Sequence, residues 1–227
     1  MLQHFADDIW LIDGGTVSVL GFDYPTRAAV IRFAENRLLL WSPVALTEDL
    51  AQAVRNLGTL RYVVAPNTLH HLFVADWLSG FPESTLYGPR ALAAKRKELN
   101  FAGFLDSDEV MPWGDSLIHR IVHHKITTEA VFFHPASRTT LFTDLIQQFP
   151  DGFHKGWRRA VAKLDLMVGE TPNVPRKFRI GFGAKAQARA MMKPILDWPT
   201  ERVVMAHGAP VFGDGQALLR RTFDWLF

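Results

Sequence analysis

The chain has 227 residues, of which 48% are hydrophobic and 21% are charged, and its formal net charge is +2. This composition is typical of a globular protein with a substantial buried core. The sequence contains no cysteine, which excludes disulfides, thiolate zinc sites and cysteine nucleophiles.

The first third of the chain predicts strands, a helix and a further strand. "DIWLID" alternates between apolar and polar residues, and "RAAVIRF" and "LLLW" flank the turn "ENR" as in a hairpin. Thr47 is the expected N-cap of the helix that follows. The apolar residues Leu50, Val54 and Leu57 fall on one face of this helix. Because the strand "LRYVVAP" comes next after a short connection, we expect a right-handed parallel crossover.

The rest of the chain alternates between predicted helices and strands. "HHLFVADWLSGF" and "ALAAKRKEL" predict helices, with the short strand "STLYGP" between them. "SLIHRIV", "AVFFH" and "TTLFTD" predict three successive strands. Two further helices, "GWRRAVAKLDLM" and "AKAQARAMMKPIL", precede the strand "RVVMAHG" and a terminal helix. Parallel and antiparallel strands with helices throughout predict a layered α/β protein.

Residues that can bind ligands or metals follow four of the predicted apolar strands. They are Ser42 after "LLLW", Asn67, His70 and His71 after "YVVAP", Asp144 after "TTLFT", and His207 after "RVVMA". Ligands of layered α/β proteins gather outside the carboxyl ends of the strands. Without cysteine, a metal at this edge would need His, Asp, Glu or Asn ligands, which suit zinc, iron or manganese.

Each of these residues also has a purely structural interpretation. Asp144 is a suitable N-cap for a helix over "LIQQF". His207 follows a nearly pure apolar strand, where a neutral, hydrogen-bonded ring is common. His70 and His71 are adjacent, and neighbouring helical positions lie about 100° apart, so we expect only one of them to face a common site.

Three more histidines follow strands in the second half of the chain. His123 and His124 close the strand "IHRIV", and neighbours on a strand point to opposite faces, so one of the two is the better site candidate. His134 follows "AVFF" and precedes Pro135, which is typical of a turn.

These elements and motifs together resemble the metallo-β-lactamase fold, a four-layer αββα sandwich, over nearly the whole chain. The strand ending in "LID", the histidine pair after a strand, "LFTD" and "AHG" carry this likeness. More narrowly, "GFDYPTRAAVIRF", "SPVALT", "YVVAPNTLHHLF" and "FFHPASRTTLFTDL" resemble the bacterial domain-of-unknown-function 4336 family. The resemblance implies a single domain over residues 1–227.

The superfamily implies a binuclear metal site that begins with an H-x-H-x-D-H segment. Alignment of "PNTLHHL" with this segment places Asn67, Leu69 and Leu72 at histidine positions and His71 at the aspartate position. A shift of one residue brings in His70 instead. Leucine cannot bind a metal, so a complete three-histidine site is lost in either alignment.

The remaining family motifs imply a smaller ligand set. "LFTD" corresponds to the family's bridging aspartate, "MAHG" to its final histidine, and the stretch near His123 and His124 to its later histidine. The ligand candidates for one zinc or iron ion are therefore His70, His71, His124, Asp144 and His207.

This set predicts a metal-dependent hydrolase that acts on an ester, thioester or lactone-type bond. We expect Asp144 and His71 to carry the catalysis, and Asn67, Ser42 and His134 to contact the substrate. The leucines at former ligand positions favour an alternative, a metal-free protein that binds or senses a small molecule.

Charge is unevenly distributed along the chain. Residues 151–193 carry ten Lys and Arg against three Asp and Glu. This segment indicates either an anionic partner, as in RNA processing, or a solvated helix surface with a basic loop. We favour nucleic acid less because no added recognition segment is evident.

The apolar runs are too short to span a bilayer, and the first residues lack the pattern of a signal peptide. We therefore expect a cytoplasmic protein with a small-molecule substrate or ligand and no membrane partner. A homodimer is an open alternative.

Overall fold

The computed structural model describes residues 1–227, which form eleven strands and seven α-helices. The strands are β1 (Leu2–Ala6), β2 (Ile9–Val19), β3 (Phe22–Arg32), β4 (Arg37–Trp41), β5 (Thr59–Val64), β6 (Thr85–Gly88), β7 (Phe101–Phe104), β8 (Ile118–Val122), β9 (Glu129–His134), β10 (Thr139–Phe142) and β11 (Arg202–Met205). The helices are α1 (Glu48–Leu57), α2 (Val74–Gly80), α3 (Arg90–Lys95), α4 (Trp157–Leu164), α5 (Arg176–Gly181), α6 (Lys185–Leu196) and α7 (Gly215–Thr222).

The strands form two mixed sheets. The first has seven strands in the order β1 to β7, antiparallel from β1 to β4 and parallel from β4 to β7. The second has four strands in the order β11, β10, β9, β8, of which only β10 and β11 are parallel. Each sheet therefore contains a parallel pair, β4–β5 in the first and β10–β11 in the second. The carboxyl ends of the two strands in each pair lie side by side.

A shared apolar core joins the two sheets. Leu39 and Trp41 of β4 pack in the same buried cluster as Phe132 of β9 and Leu141 of β10. The alternate residues of β4, such as Leu40, face the other way and pack with α1 and α2. Burial on both faces explains why this strand reads as an unbroken apolar run.

Helices cover the outer faces of both sheets. Val54 of α1 and Trp77 of α2 pack against the first sheet. Phe178 of α5, Met192 of α6 and Leu219 of α7 pack against the second. Two helical layers thus enclose two sheets, which confirms the predicted αββα sandwich. No helix in the chain has both the length and the apolar character needed to cross a membrane.

Local sequence signals place the predicted elements well as far as β5. The hydroxyl of Thr47 accepts a hydrogen bond from the backbone N–H of Leu50 (3.3 Å), which confirms the predicted N-cap of α1. Two predictions fail further on. "LIQQF" forms no helix, so Asp144 is not an N-cap, and residues 70–73, predicted as the start of a helix, form turns that precede α2.

Truncation of the inter-sheet core at Phe132 tests the packing of the sandwich. Phe132 is fully buried between the sheets. We expect Phe132→Ala to lower the free energy of unfolding by about 3–5 kcal/mol, because it removes a buried ring and leaves a cavity. Denaturant unfolding followed by tryptophan fluorescence measures the loss. The matched control is Val110→Ala, at an exposed site, which we expect to change stability by less than about 0.5 kcal/mol. Equal losses in both variants would contradict this packing.

Candidate metal centre

The parallel strands bring four polar residues to one edge of the sandwich. Trp41 of β4 pairs with Val64 of β5, and Phe142 of β10 pairs with Met205 of β11. The chain leaves each strand at the same level, so the segments that begin at residues 42, 65, 143 and 206 emerge together. The sequence predicted this convergence from the rule that ligands gather at carboxyl ends of strands.

Three potential metal ligands meet at this edge. One ligand atom from each of His70, Asp144 and His207 lies within 4.8 Å of the others. The Nε2 atom of His70 is 3.2 Å from one carboxylate oxygen of Asp144, and the Nε2 atom of His207 is 3.4 Å from the other. All three side chains are almost fully withdrawn from solvent.

Ser42 fixes the orientation and tautomer of His70. Its hydroxyl donates to the carbonyl oxygen of Arg27 (3.0 Å) and also contacts Nδ1 of His70 (2.8 Å). A serine hydroxyl has a single hydrogen, so Nδ1 of His70 must donate to Ser42. In its neutral form, the ring then presents an unprotonated Nε2 to Asp144. Ser42 has a left-handed backbone (φ 54°), which is uncommon outside glycine and is often found at functional sites.

His207 is held in the same tautomer by the backbone. Its Nδ1 lies 2.8 Å from the carbonyl oxygen of Pro25. A carbonyl oxygen only accepts hydrogen bonds, so Nδ1 carries a proton, and in the neutral ring Nε2 then has a free lone pair directed at Asp144. The ring of Tyr24 packs edge-on against the His207 ring at 5.2 Å. Both histidines are thus anchored through Nδ1, the arrangement that orients imidazoles for metal binding through Nε2.

Asn67 holds Asp144 and the histidine turn together. Its amide group donates to Asp144 Oδ2 (2.6 Å) and to the hydroxyl of Thr143 (2.9 Å). Its carbonyl oxygen accepts from the backbone N–H groups of Leu69 (2.8 Å) and His70 (2.9 Å). Every polar atom of this fully buried side chain is therefore satisfied.

Glu129, which the sequence analysis did not single out, supports the Asp144 turn from below. Its two carboxylate oxygens accept from the backbone N–H groups of Thr143 (2.8 Å), Asp144 (2.9 Å) and Leu145 (3.2 Å). Burial, and next the nearby charge of Asp144, raise the pKa of Glu129 to about 7, although the N–H donors oppose this. The only feature of the sequence that could have indicated Glu129 is its position as a charged residue at the start of the apolar stretch "EAVFFH".

The surroundings of Asp144 keep it ionised. Burial by itself would raise the pKa of this carboxyl group, but the adjacent imidazoles of His70 and His207 hold it well below its usual value. A buried anion between two imidazole lone pairs is an attractive position for a cation.

The spacing of the three donors suits a metal ion. Two ligands that are each about 2.0–2.1 Å from a tetrahedral zinc ion lie about 3.3 Å apart. The imidazole contacts of 3.2 Å to one carboxylate oxygen and 3.4 Å to the other are of that size, and the three ligand atoms lie within 4.8 Å of one another. Two neutral imidazoles and one carboxylate also form a donor set that zinc and iron accept.

His71 lies outside this group. Its Nδ1 is 2.7 Å from a guanidinium nitrogen of Arg96, which can only donate, so the lone pair of Nδ1 is occupied and Nε2 carries the proton. Burial, followed by the charges of Lys95 and Arg96, lowers the pKa of His71 to about 4. His71 therefore has no nitrogen lone pair left for a metal and is not part of the triad. The structure does not place it where the predicted ligand and catalytic residue would lie.

His124, another predicted ligand, is also turned away from the triad. Its Nε2 donates to the carbonyl oxygen of Phe178, and its Nδ1 accepts from the backbone N–H of Ile126 (3.1 Å). The ring packs against Gly181 of α5 so closely that an added Cβ there would clash with it. Nε2 of His124 thus joins the loop after β8 to α5, while Nδ1 is used within that loop.

The three residues predicted to contact a substrate form hydrogen bonds within the protein instead. The polar atoms of Ser42 and Asn67 are engaged by His70, Asp144 and the backbone, as described above. His134 ends β9 at the opposite edge of the sheet from Glu129, and its Nδ1 contacts the hydroxyl of Ser137 (2.8 Å). The structure therefore does not bring His134 to the candidate site.

Comparison of the sequence with models of known families identifies the family of this chain. The family model described as "Domain of unknown function (DUF4336)" matches residues 6–164, more than half of the chain. No curated protein has a matching sequence.

Solved structures share the fold over the whole chain. A metallo-beta-lactamase from Pontibacter korlensis has a TM-score of 0.65 at 14% identity, with coverage of 100% of this chain and 98% of the other. The metallo-beta-lactamase FIM-1 from Pseudomonas aeruginosa in its mono-zinc form has a TM-score of 0.59 at 12% identity, with coverage of 100% and 94%. The metal-soaked Flv1 flavodiiron core from Synechocystis sp. PCC6803 has a TM-score of 0.64 at 16% identity; this chain is covered fully but spans 60% of that core. These likenesses confirm the metallo-β-lactamase fold.

Replacement of Glu129 by glutamine tests its support of the Asp144 turn. An amide at this position would direct N–H donors at backbone N–H groups, and at least one buried donor would lose its acceptor. We expect Glu129→Gln to lower the free energy of unfolding by about 2–3 kcal/mol. Glu201→Gln is the matched control, since Glu201 is exposed and pairs with Arg138, and we expect a change below about 1 kcal/mol. A Glu129→Gln variant as stable as the wild type would show that the turn holds itself.

Proposed function

We propose that this chain, which belongs to the DUF4336 family and has the metallo-β-lactamase fold, is a hydrolase that depends on one zinc or iron ion. His70, Asp144 and His207 would hold the ion. The bond that it cleaves is that of an ester, thioester or lactone.

The observation that carries this proposal is the matched anchoring of the two imidazoles. Ser42 and the carbonyl oxygen of Pro25 each engage Nδ1, so that both Nε2 lone pairs face the Asp144 carboxylate. With both rings neutral and no cation present, this arrangement would place two lone pairs against a buried anion. Two nitrogen lone pairs and a carboxylate that converge on one point are best explained by a positive ion bound between them.

The residues support a single ion. The triad is the only group of three or more His, Cys, Asp or Glu residues in the chain whose ligand atoms approach so closely. Leu69 and Leu72 lie at positions where the H-x-H-x-D-H segment of the superfamily has histidines. A mononuclear zinc site is compatible with this fold, since FIM-1 has a mono-zinc form.

Three protein ligands leave a coordination position for a substrate, as in catalytic zinc sites. An ion held there would supply Lewis-acid polarisation of a scissile carbonyl oxygen. The protein residues would provide the geometry: Asn67 holds the Asp144 carboxylate and Glu129 the backbone of its turn, and Ser42 and Pro25 hold the two rings. Asp144 would remain ionised at neutral pH because its pKa is depressed.

The hydrolase proposal is tested by metal content and activity measured on the same preparations. The chain is loaded with zinc or ferrous iron, desalted, analysed for metal, and assayed with a nitrophenyl ester, an acyl thioester and a lactone. We expect about one ion per chain and turnover of at least one substrate. His207→Ala should lose both the ion and the activity, because it removes a ligand.

The control for this experiment is His71→Ala, which removes a nearby histidine that lies outside the triad. It should keep both metal and activity. Stoichiometric metal without turnover of any substrate would contradict the hydrolase function but not the metal site. A wild type that binds neither ion would favour the metal-free alternative, in which the pocket binds a small molecule.

The role of Ser42 is tested by Ser42→Ala, which removes the hydroxyl that orients His70. Groups that hold a metal-ligating imidazole typically contribute about 10–100-fold in metal affinity. We expect the zinc affinity of Ser42→Ala, measured by competition with a chelating dye, to fall by this factor. Ser107→Ala removes a hydroxyl that bonds only to the carbonyl oxygen of Phe104 and should leave the affinity unchanged. Equal affinities in Ser42→Ala and the wild type would show that Ser42 does not orient the ligand.

A further inference from the structure

Helix α4 turns its apolar face outward. Trp157, Val161 and Leu164 have the spacing i, i+4 and i+7, which places them on one face of the helix. Their exposed fractions are 60%, 40% and 65%, whereas Ala162 is the only buried residue of the helix. Amphipathic helices normally bury such a face, so this one lacks a partner within the chain.

The tip of the β2–β3 hairpin extends this apolar surface. Leu20 at the tip is 94% exposed, and Val19 beside it is also exposed. The tip is joined to α4, since Arg158 donates to the carbonyl oxygen of Gly21 and the ring of Phe22 meets the ring of Trp157 edge-on at 5.6 Å. The hairpin tip and α4 therefore form one exposed surface, which we call the hairpin–helix face.

The hairpin–helix face has a positive charge. The hairpin tip and residues 151–165 together carry four basic and three acidic side chains: Lys155, Arg158, Arg159, Lys163, Asp23, Asp151 and Asp165. Asp151 pairs with Arg159 (2.9 Å) and Lys163 (3.0 Å), whereas Lys155 and Arg158 form no ion pair. The face belongs to the basic segment 151–193 that the sequence analysis associated with an anionic partner.

We propose that the hairpin–helix face binds the surface of an anionic phospholipid membrane. Exposed Trp and Leu side chains between basic residues are typical of helices that lie in the membrane interface, where the apolar groups enter the lipid and the cations meet the headgroups. A second copy of the chain fits this face less well, because a symmetric contact would bring two sets of like charges together. This peripheral binding needs no membrane-spanning helix and differs from the sequence-based expectation of no membrane partner.

Membrane binding through this face would place the candidate metal centre close to the lipid. From Phe22, which contacts Trp157, strand β3 continues to Tyr24 and Pro25, which contact His207. The docked surface and the site are therefore joined by the same strand.

The proposal is tested by sedimentation of the full chain with vesicles. One set contains phosphatidylcholine alone, and the other contains phosphatidylcholine and phosphatidylglycerol in equal parts. We expect binding to the anionic vesicles that weakens as salt is added. Leu20→Ser with Trp157→Ser should reduce the partition coefficient by at least about tenfold, because it removes two large inserted apolar groups. Lys155→Glu should also weaken binding to anionic vesicles.

The matched control is Val110→Ser, which changes an equally exposed apolar residue elsewhere. It should bind like the wild type. Circular dichroism and the melting temperature establish that each variant is folded. No binding of the folded wild type to anionic vesicles, or equal binding by the double variant, would overturn the proposal. A dimer in sedimentation velocity that the double variant abolishes would instead assign the face to a second copy and also overturn it.

Discussion

The candidate site depends on the burial of one carboxylate. Asp144 lies among apolar strands where an unpaired anion would cost several kcal/mol, so every polar group around it has to contribute. Asn67 donates to one of its oxygens, the two imidazoles face both of them, and Glu129 holds the backbone that presents the side chain. Because these groups share partners, their effects on stability and metal binding will not be additive.

The sheet topology explains why these residues meet at all. The parallel pairs β4–β5 and β10–β11 end at the same edge, so residues far apart in sequence emerge side by side. The strongest contacts of the site cross between the sheets, for example from Asn67 after β5 to Asp144 after β10. The inter-sheet core that aligns the two edges, with Trp41 and Phe132, therefore sets the geometry of the site as well as the stability of the fold.

Local sequence signals predicted the parts of the fold that depend on neighbours in the chain. The apolar strands, the N-cap at Thr47, and the placement of Asp144 and His207 after strands all follow from short-range pattern. The choice between His70 and His71 did not, because it depends on a turn held by Asn67 and on Arg96, the residue that follows α3. Glu129 was missed because its role also depends on residues that are distant in sequence. The N–H groups from which it accepts hydrogen bonds lie 14 to 16 residues away along the chain.

The central claim is that His70, Asp144 and His207 form one metal site. The most direct measurement is X-ray diffraction from crystals grown with zinc, with data collected on both sides of the zinc absorption edge. The account predicts a single anomalous peak in contact with Nε2 of His70, Nε2 of His207 and the carboxylate of Asp144. A peak at His71, or at His123 and His124, with none at the triad would contradict it, as would a fully zinc-soaked crystal with no anomalous peak bonded to the chain.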